Sequence, residues 1–188
     1  MGVQFFFWAL GGLYFSWNNM DDVHGETLLK QEKKYVEAID FSQIQNGIDS
    51  LKTLVKIDSV HSVNLFETLH KSFAQLKYFE NSHLKSQLIS LETGRLRPSF
   101  TGQECLEIAE QQLKEPIPII KAKFLDKNST GMHHEYRESP LPAYAFTLDH
   151  PTKTTVYVST ELGKITSVRN NNWRRFDFLW MLHTMDYK

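Results

Sequence analysis

Two stretches of this chain repeat one another, and the repeat limits the fold more than any other feature. Leu88 to Ser99 reads LISLETGRLRPS and Val156 to Ser167 reads VYVSTELGKITS, with Gly94 and Gly163 standing 69 positions apart. In each copy an alternating strand runs into Glu-x-Gly-basic, and a second strand follows. Each glycine falls where a tight turn demands a positive φ, which only glycine adopts without steric cost. The preceding segments also agree: FAQLKYFE places Leu76 and Tyr78 at the alternation that PAYAFTLD gives to Tyr144 and Phe146.

Helical periods come earlier in each copy. Ile48, Leu51, Leu54 and Val55 keep a 3.6-residue spacing, as do Cys105, Ile108, Ala109 and Leu113, where Thr101 and Glu104 stand at capping-box distance. A strand follows each helix, SVNLFETL in the first and IPIIKAKFL in the second. The expected fold is therefore α+β: helix, strand, strand, strand, twice over, with each helix laid across one face of a small antiparallel sheet. The core residues expected from this register are Leu51, Val55, Leu76, Tyr78 and Leu88 in the first unit. In the second they are Leu106, Ala109, Leu113, Tyr144, Phe146, Val156 and Val158. The single cysteine, Cys105, lies on the apolar face of its helix and reads as a buried, inert thiol.

Both ends of the chain are unusually apolar. Gly2 to Trp17, GVQFFFWALGGLYFSW, carries no charge and falls short of the roughly 20 residues that a spanning helix needs. It lacks the basic start and small-residue cleavage site of a secretory signal. Trp8, Tyr14 and Trp17 accumulate toward the polar NNMDDVHGE, as aromatic rings do where hydrocarbon meets water. At the other end, a helix capped by Asn172 would align Trp173, Phe176, Trp180, His183 and Tyr187 on one stripe. Such a stripe suits a membrane boundary or the face of a sheet. Two membrane-proximal helices must leave the domain on one side, bringing His24 and His183 toward the same surface. Arg174 and Arg175 oppose the dipole of the second helix, so lipid phosphates or Asp21, Asp22 and Glu26 are their expected partners.

Charge and motifs exclude several function classes. With 21 basic and 22 acidic residues the net charge is −1, which gives no field for nucleic acid. No nucleophile elbow, phosphate loop or dinucleotide fingerprint occurs, so the chain leans away from an enzyme and no catalytic residue is assigned. MHHEYRE, with His133, His134 and Glu135, lacks the spacing of a zinc-protease helix and is expected in a loop or strand edge.

The second unit, with its LPAYAFTL strand followed by TTVYVSTELGKI, resembles a PepSY domain. The wider pattern resembles the PepSY-associated transmembrane-helix proteins of bacteria: GLYFSW, DDVHGE, two PepSY units, EYRESPLPAY, then NNNWRRFDFLWMLHTMDYK. The resemblance implies four parts: residues 1–19 as the remnant of a transmembrane helix, 20–100 and 101–170 as the PepSY units, and 171–188 as a juxtamembrane aromatic helix leading to a further membrane helix. The chain is accordingly expected to be a fragment. The implied role is a non-enzymatic binding or regulatory domain, in the inner membrane with its units in the periplasm or outside the cell. The implied partners are the lipid bilayer and a peptide or secreted peptidase. The alternative implied role is a haem-bearing electron-transfer component of iron-siderophore reduction and uptake. Haem would then belong to the complete protein, with His24 and His183 as candidate ligands; no metal ligands are otherwise assigned.

Overall fold

The computed structural model describes residues 2–17, 19–30, 40–131, 134–137 and 139–184. The chain begins with helices α1 (Gly2–Trp17) and α2 (Met20–His24) and a 3₁₀ turn at Glu26–Leu28. Helix α3 (Phe41–Leu54) then leads into strands β1 (Ser59–Thr68), β2 (Lys71–Glu80), β3 (His83–Ser90) and β4 (Leu96–Arg97). The second half repeats the order with α4 (Gly102–Gln112), β5 (Ile119–Leu125), β6 (Ala143–Leu148), β7 (Thr155–Ser159) and β8 (Lys164–Arg169), and closes with α5 (Asn171–Thr184). The strands form two four-stranded antiparallel sheets, ordered β1-β2-β3-β4 and β5-β6-β7-β8. The fold is thus α+β, with four strands in each sheet where the expected unit counted three; the last is the strand read after each glycine turn.

The glycine turns match in backbone detail. Gly94 has φ +66° and donates its N–H to the Ser90 carbonyl at 2.8 Å; Gly163 has φ +54° and donates to Ser159 at 3.0 Å. Their surroundings differ. A Cβ on Gly94 would meet the Gln43 side chain of α3 at 2.7 Å, whereas one on Gly163 would lie 2.6 Å from the Phe100 ring and 3.0 Å from Thr68 of the first unit. The second turn is therefore wedged into the seam between the units.

Local chemistry sets the helix limits. Asp40 caps α3 by accepting from Ser42 N–H, and Thr101 and Glu104 complete the reciprocal capping box of α4. Arg97 holds both Glu104 oxygens at 3.0 Å, with its guanidinium 4.3 Å from the centre of the Phe100 ring. The buried stripe of α3 runs Ile44, Gly47 and Leu51, with Ile48 beside it. Leu54, expected on that stripe, is exposed at the last helical position, and Val55 is already extended.

Each helix covers one face of its sheet. Ile44 and Leu51 pack on Ala74, Leu76, Tyr78 and Ile89; Cys105, Ile108, Ala109 and Leu113 pack on Phe146, Leu148, Val156, Val158 and Val168. The back of the first sheet, Phe73 and Leu88, joins this second cluster through Phe100. Of the expected core residues, Val55, Leu106 and Tyr144 are half-buried and the others are buried. The pairing shifts the expected correspondence by two residues. Leu76 faces Gln87 while Phe146 faces Val156, and Ala74 faces Ile89 while Tyr144 faces Val158. Leu76 thus corresponds to Phe146, and Tyr78 to Leu148. A side-chain period of two hides such a slip, because either register keeps the same face inward.

Candidate functional site

The two apolar end helices pack against one another beside the sheets. Phe15 of α1 touches Phe176, Trp180 and His183 of α5 at ring separations of 4.7, 5.5 and 5.5 Å, and Trp8 stacks on His183 at 5.1 Å. Partners on α5 rise in number as those on α1 fall, so the helices run antiparallel. The stripe Phe176, Trp180, His183 therefore exists as a packed face. Trp173 departs from it: its ring takes the Arg169 guanidinium at 4.1 Å. Tyr187 and His133 lie outside the described residues.

What the pair leaves uncovered is apolar. Phe5, Phe6, Trp8, Leu10, Leu13 and Trp17 of α1 and Phe178 and Trp180 of α5 are exposed, Trp17 at 79%; Tyr14 is half-buried. A surface of this kind marks a contact with lipid or protein. At 1.5 Å per residue α1 is about 24 Å long against a hydrocarbon core of about 30 Å, and among the described residues no helix is long and apolar enough to cross a membrane.

The root of α5 is fixed by polar contacts that local pattern did not assign. Trp173 N–H donates to Asn170 Oδ1 at 2.7 Å, so the cap is Asn170 and not Asn172. The same side chain, almost fully buried, donates from Nδ2 to the Asp22 carbonyl at 2.9 Å. Beside it Val23 is buried, and Gly25 (φ +71°) sits where a Cβ would lie 2.5 Å from Val168. Arg174 is bound not by Asp21, Asp22 or Glu26 but by Glu135, through Nε at 2.9 Å and Nη2 at 3.1 Å, and by the Lys153 carbonyl at 2.8 Å.

Glu135 is the centre of a half-buried network. The Tyr157 hydroxyl donates to Glu135 Oε1, Arg169 Nε donates to the Glu135 carbonyl at 3.1 Å, and Tyr136 stacks on Tyr157 at 4.5 Å. Burial works to raise the Glu135 carboxyl, but hydrogen bonds from Arg174 and Tyr157 and the charges of Arg174 and Arg169 hold it below the usual glutamate range. Burial, and then the Glu135 hydrogen bond, push the Tyr157 hydroxyl upward. The HEY segment expected at a loop or edge thus turns inward, covers the back of the second sheet and clamps α5 to it. Only the side-chain types were visible beforehand, because Glu135 and Arg174 lie 39 residues apart.

The two histidines are placed at different levels. His24 is the exposed last residue of α2, which packs at the first turn of α5. His183 lies near the other end, about 18 Å along the helix axis, its Nδ1 3.2 Å from the Trp8 carbonyl. The His183 ring lies flat on the Trp8 indole, while His24 stands at the helix root, so no contact within the described residues brings the two together. Among the described residues no group of three or more His, Cys, Asp or Glu could hold a metal. Cys105 is fully buried and its thiol is pushed up to about 12, by burial above all, which removes it as a nucleophile.

No protein-family model, curated protein or solved structure matches this chain.

Proposed function

We propose that the chain is a non-enzymatic, extracytoplasmic binding or regulatory domain of a bacterial membrane protein, in which α1 and α5 meet the bilayer and two PepSY units stand clear of it. The observation that carries this reading is the antiparallel pairing of a charge-free α1 with the aromatic stripe of α5, which leaves large apolar side chains exposed on both. Supporting the PepSY reading are two sheets of identical strand order, a helix on the corresponding face of each, and glycine turns of matching φ. The inner membrane as location, and a peptide or secreted peptidase as partner, rest on the sequence resemblance.

Flotation with lipid vesicles tests the membrane part. The chain should rise with the vesicles, and Phe6→Asp with Phe178→Asp should leave it at the bottom of the gradient, since each charge placed in hydrocarbon costs about 2.5–3.5 kcal/mol. A wild-type chain that stays at the bottom as a dispersed monomer would overturn the reading.

A further inference from the structure

The outer strand of the second sheet is built to accept another chain. Strand β5 ends the order β5-β6-β7-β8, so among the described residues its outer edge has no strand partner, and such an edge presents free N–H and C=O groups. The positions Ile119 through Phe124 are exposed or half-exposed, with Ile120 at 64% and Phe124 at 49%. A groove of about 440 Å³ opens between this strand and α4, with Leu106 and Glu110 on the helix side and Ala122, Tyr144 and Phe146 on the sheet side. Helix α4 packs toward β7 and β8 and leaves the β5 end of its face open.

Register and charge decide what fits there. Ala122 pairs with Phe146 and Phe124 with Tyr144, so both share the sheet face that holds the groove, Phe124 against Tyr144 just past its lining; Lys121, which also borders the groove, pairs with Thr147 and Lys123 with Ala145, on the alternate face. Among the described residues neither lysine has a carboxylate within ion-pair distance. A second copy is disfavoured. A two-fold β5–β5 ladder keeps each residue on its own face, so the central registers, about Lys121, Ala122 or Lys123, set a lysine opposite a lysine, and like charges directly opposite are destabilising. A strand that sets acidic residues against the lysines and apolar residues over the groove satisfies both faces at once.

We propose that β5 binds an extended peptide in which apolar and acidic residues alternate, paired to its outer edge, with the apolar side chains entering the groove beside α4 and the acidic ones meeting Lys121 and Lys123. Pro116 and Pro118 precede the strand and lack the N–H groups that would extend pairing in that direction, so the site spans about Ile119 to Leu125. This inference rests on the binding half of the proposed function and is independent of the membrane half.

The test uses the full chain in detergent with a fluorescent alternating valine–glutamate octapeptide, a valine–lysine counterpart, and a valine–glutamate peptide N-methylated at every residue, so that neither edge can donate. The glutamate peptide should bind, with backbone amide shifts confined to residues 119–125 and the facing groove. Lys121→Glu with Lys123→Glu should weaken it about tenfold and strengthen the lysine peptide, and N-methylation should abolish binding. Equal binding of the methylated peptide, equal binding of both charge types, or no binding would overturn the proposal. So would self-association through β5. Retained flotation with no peptide binding removes this site alone; failed flotation with peptide binding removes only the membrane reading.

Discussion

Gly163 carries more of this structure than its small size suggests. Its φ of +54° costs a non-glycine residue about 1–2 kcal/mol, and a methyl group there would also meet the Phe100 ring, which packs against Phe73 and cannot easily move. Gly163→Ala should therefore lower unfolding stability by about 2–4 kcal/mol. Gly94→Ala, which mainly displaces the amide end of the Gln43 side chain, should lower it by about 1–2 kcal/mol; denaturant titration of both variants measures the difference. Cys105 gives a second residue-scale prediction: no reaction with a thiol reagent in the native state at neutral pH, and one reactive thiol once denaturant is added. The turn glycines and the cysteine were legible in sequence because backbone sign and helical period are local properties. Glu135 was not, because nothing within its own segment indicates that an arginine 39 residues later will bind it.

At the scale of the element, α5 shows which part of a helix start is local. Asn170, Asn171 and Asn172 are all acceptable caps, and sequence pattern selected Asn172. The fold selects Asn170, because only there can one side chain both cap α5 and reach the Asp22 carbonyl. The capping box of α4 was legible for the converse reason: both its members lie within one turn. The Glu135 clamp on α5 should be pH-dependent. Its carboxyl is held below the ordinary glutamate value, so the stabilisation is complete above about pH 4.3 and is lost as pH falls through the lower, folded value. Arg174→Ala should cost about 1–2 kcal/mol at pH 7, modest because both partners are partly solvated, and the difference from wild type should shrink as the solution is acidified below pH 4. A difference that stays constant down to pH 2 would show that Glu135 holds α5 by packing rather than charge. The α1–α5 contact is aromatic instead, so Phe15→Ala should loosen it by about 1–3 kcal/mol through three lost ring contacts, read as faster amide exchange in both helices.

At the scale of the molecule, the doubled helix-and-sheet pattern was visible because turn glycine, alternation and helix period agree in both halves. The register of the repeat was not, since shifting by two residues leaves every buried face intact. Nor could sequence show that the seam between units is filled by the second glycine turn, or that the HEY segment roofs the second sheet. The central claim is that the paired α1 and α5 form the lipid-facing part and both sheets stay in water. The most direct measurement is nitroxide accessibility in vesicles, with single labels at Phe6, Leu10, Trp17, Phe178, Lys85 and Lys123. The labels at Phe6, Leu10 and Phe178 should collide with oxygen more than with a water-soluble nickel complex. The label at Trp17 should report the headgroup region, and those at Lys85 and Lys123 should be open to nickel. Labels on α1 and α5 that are as nickel-accessible as those on the strands would contradict the account.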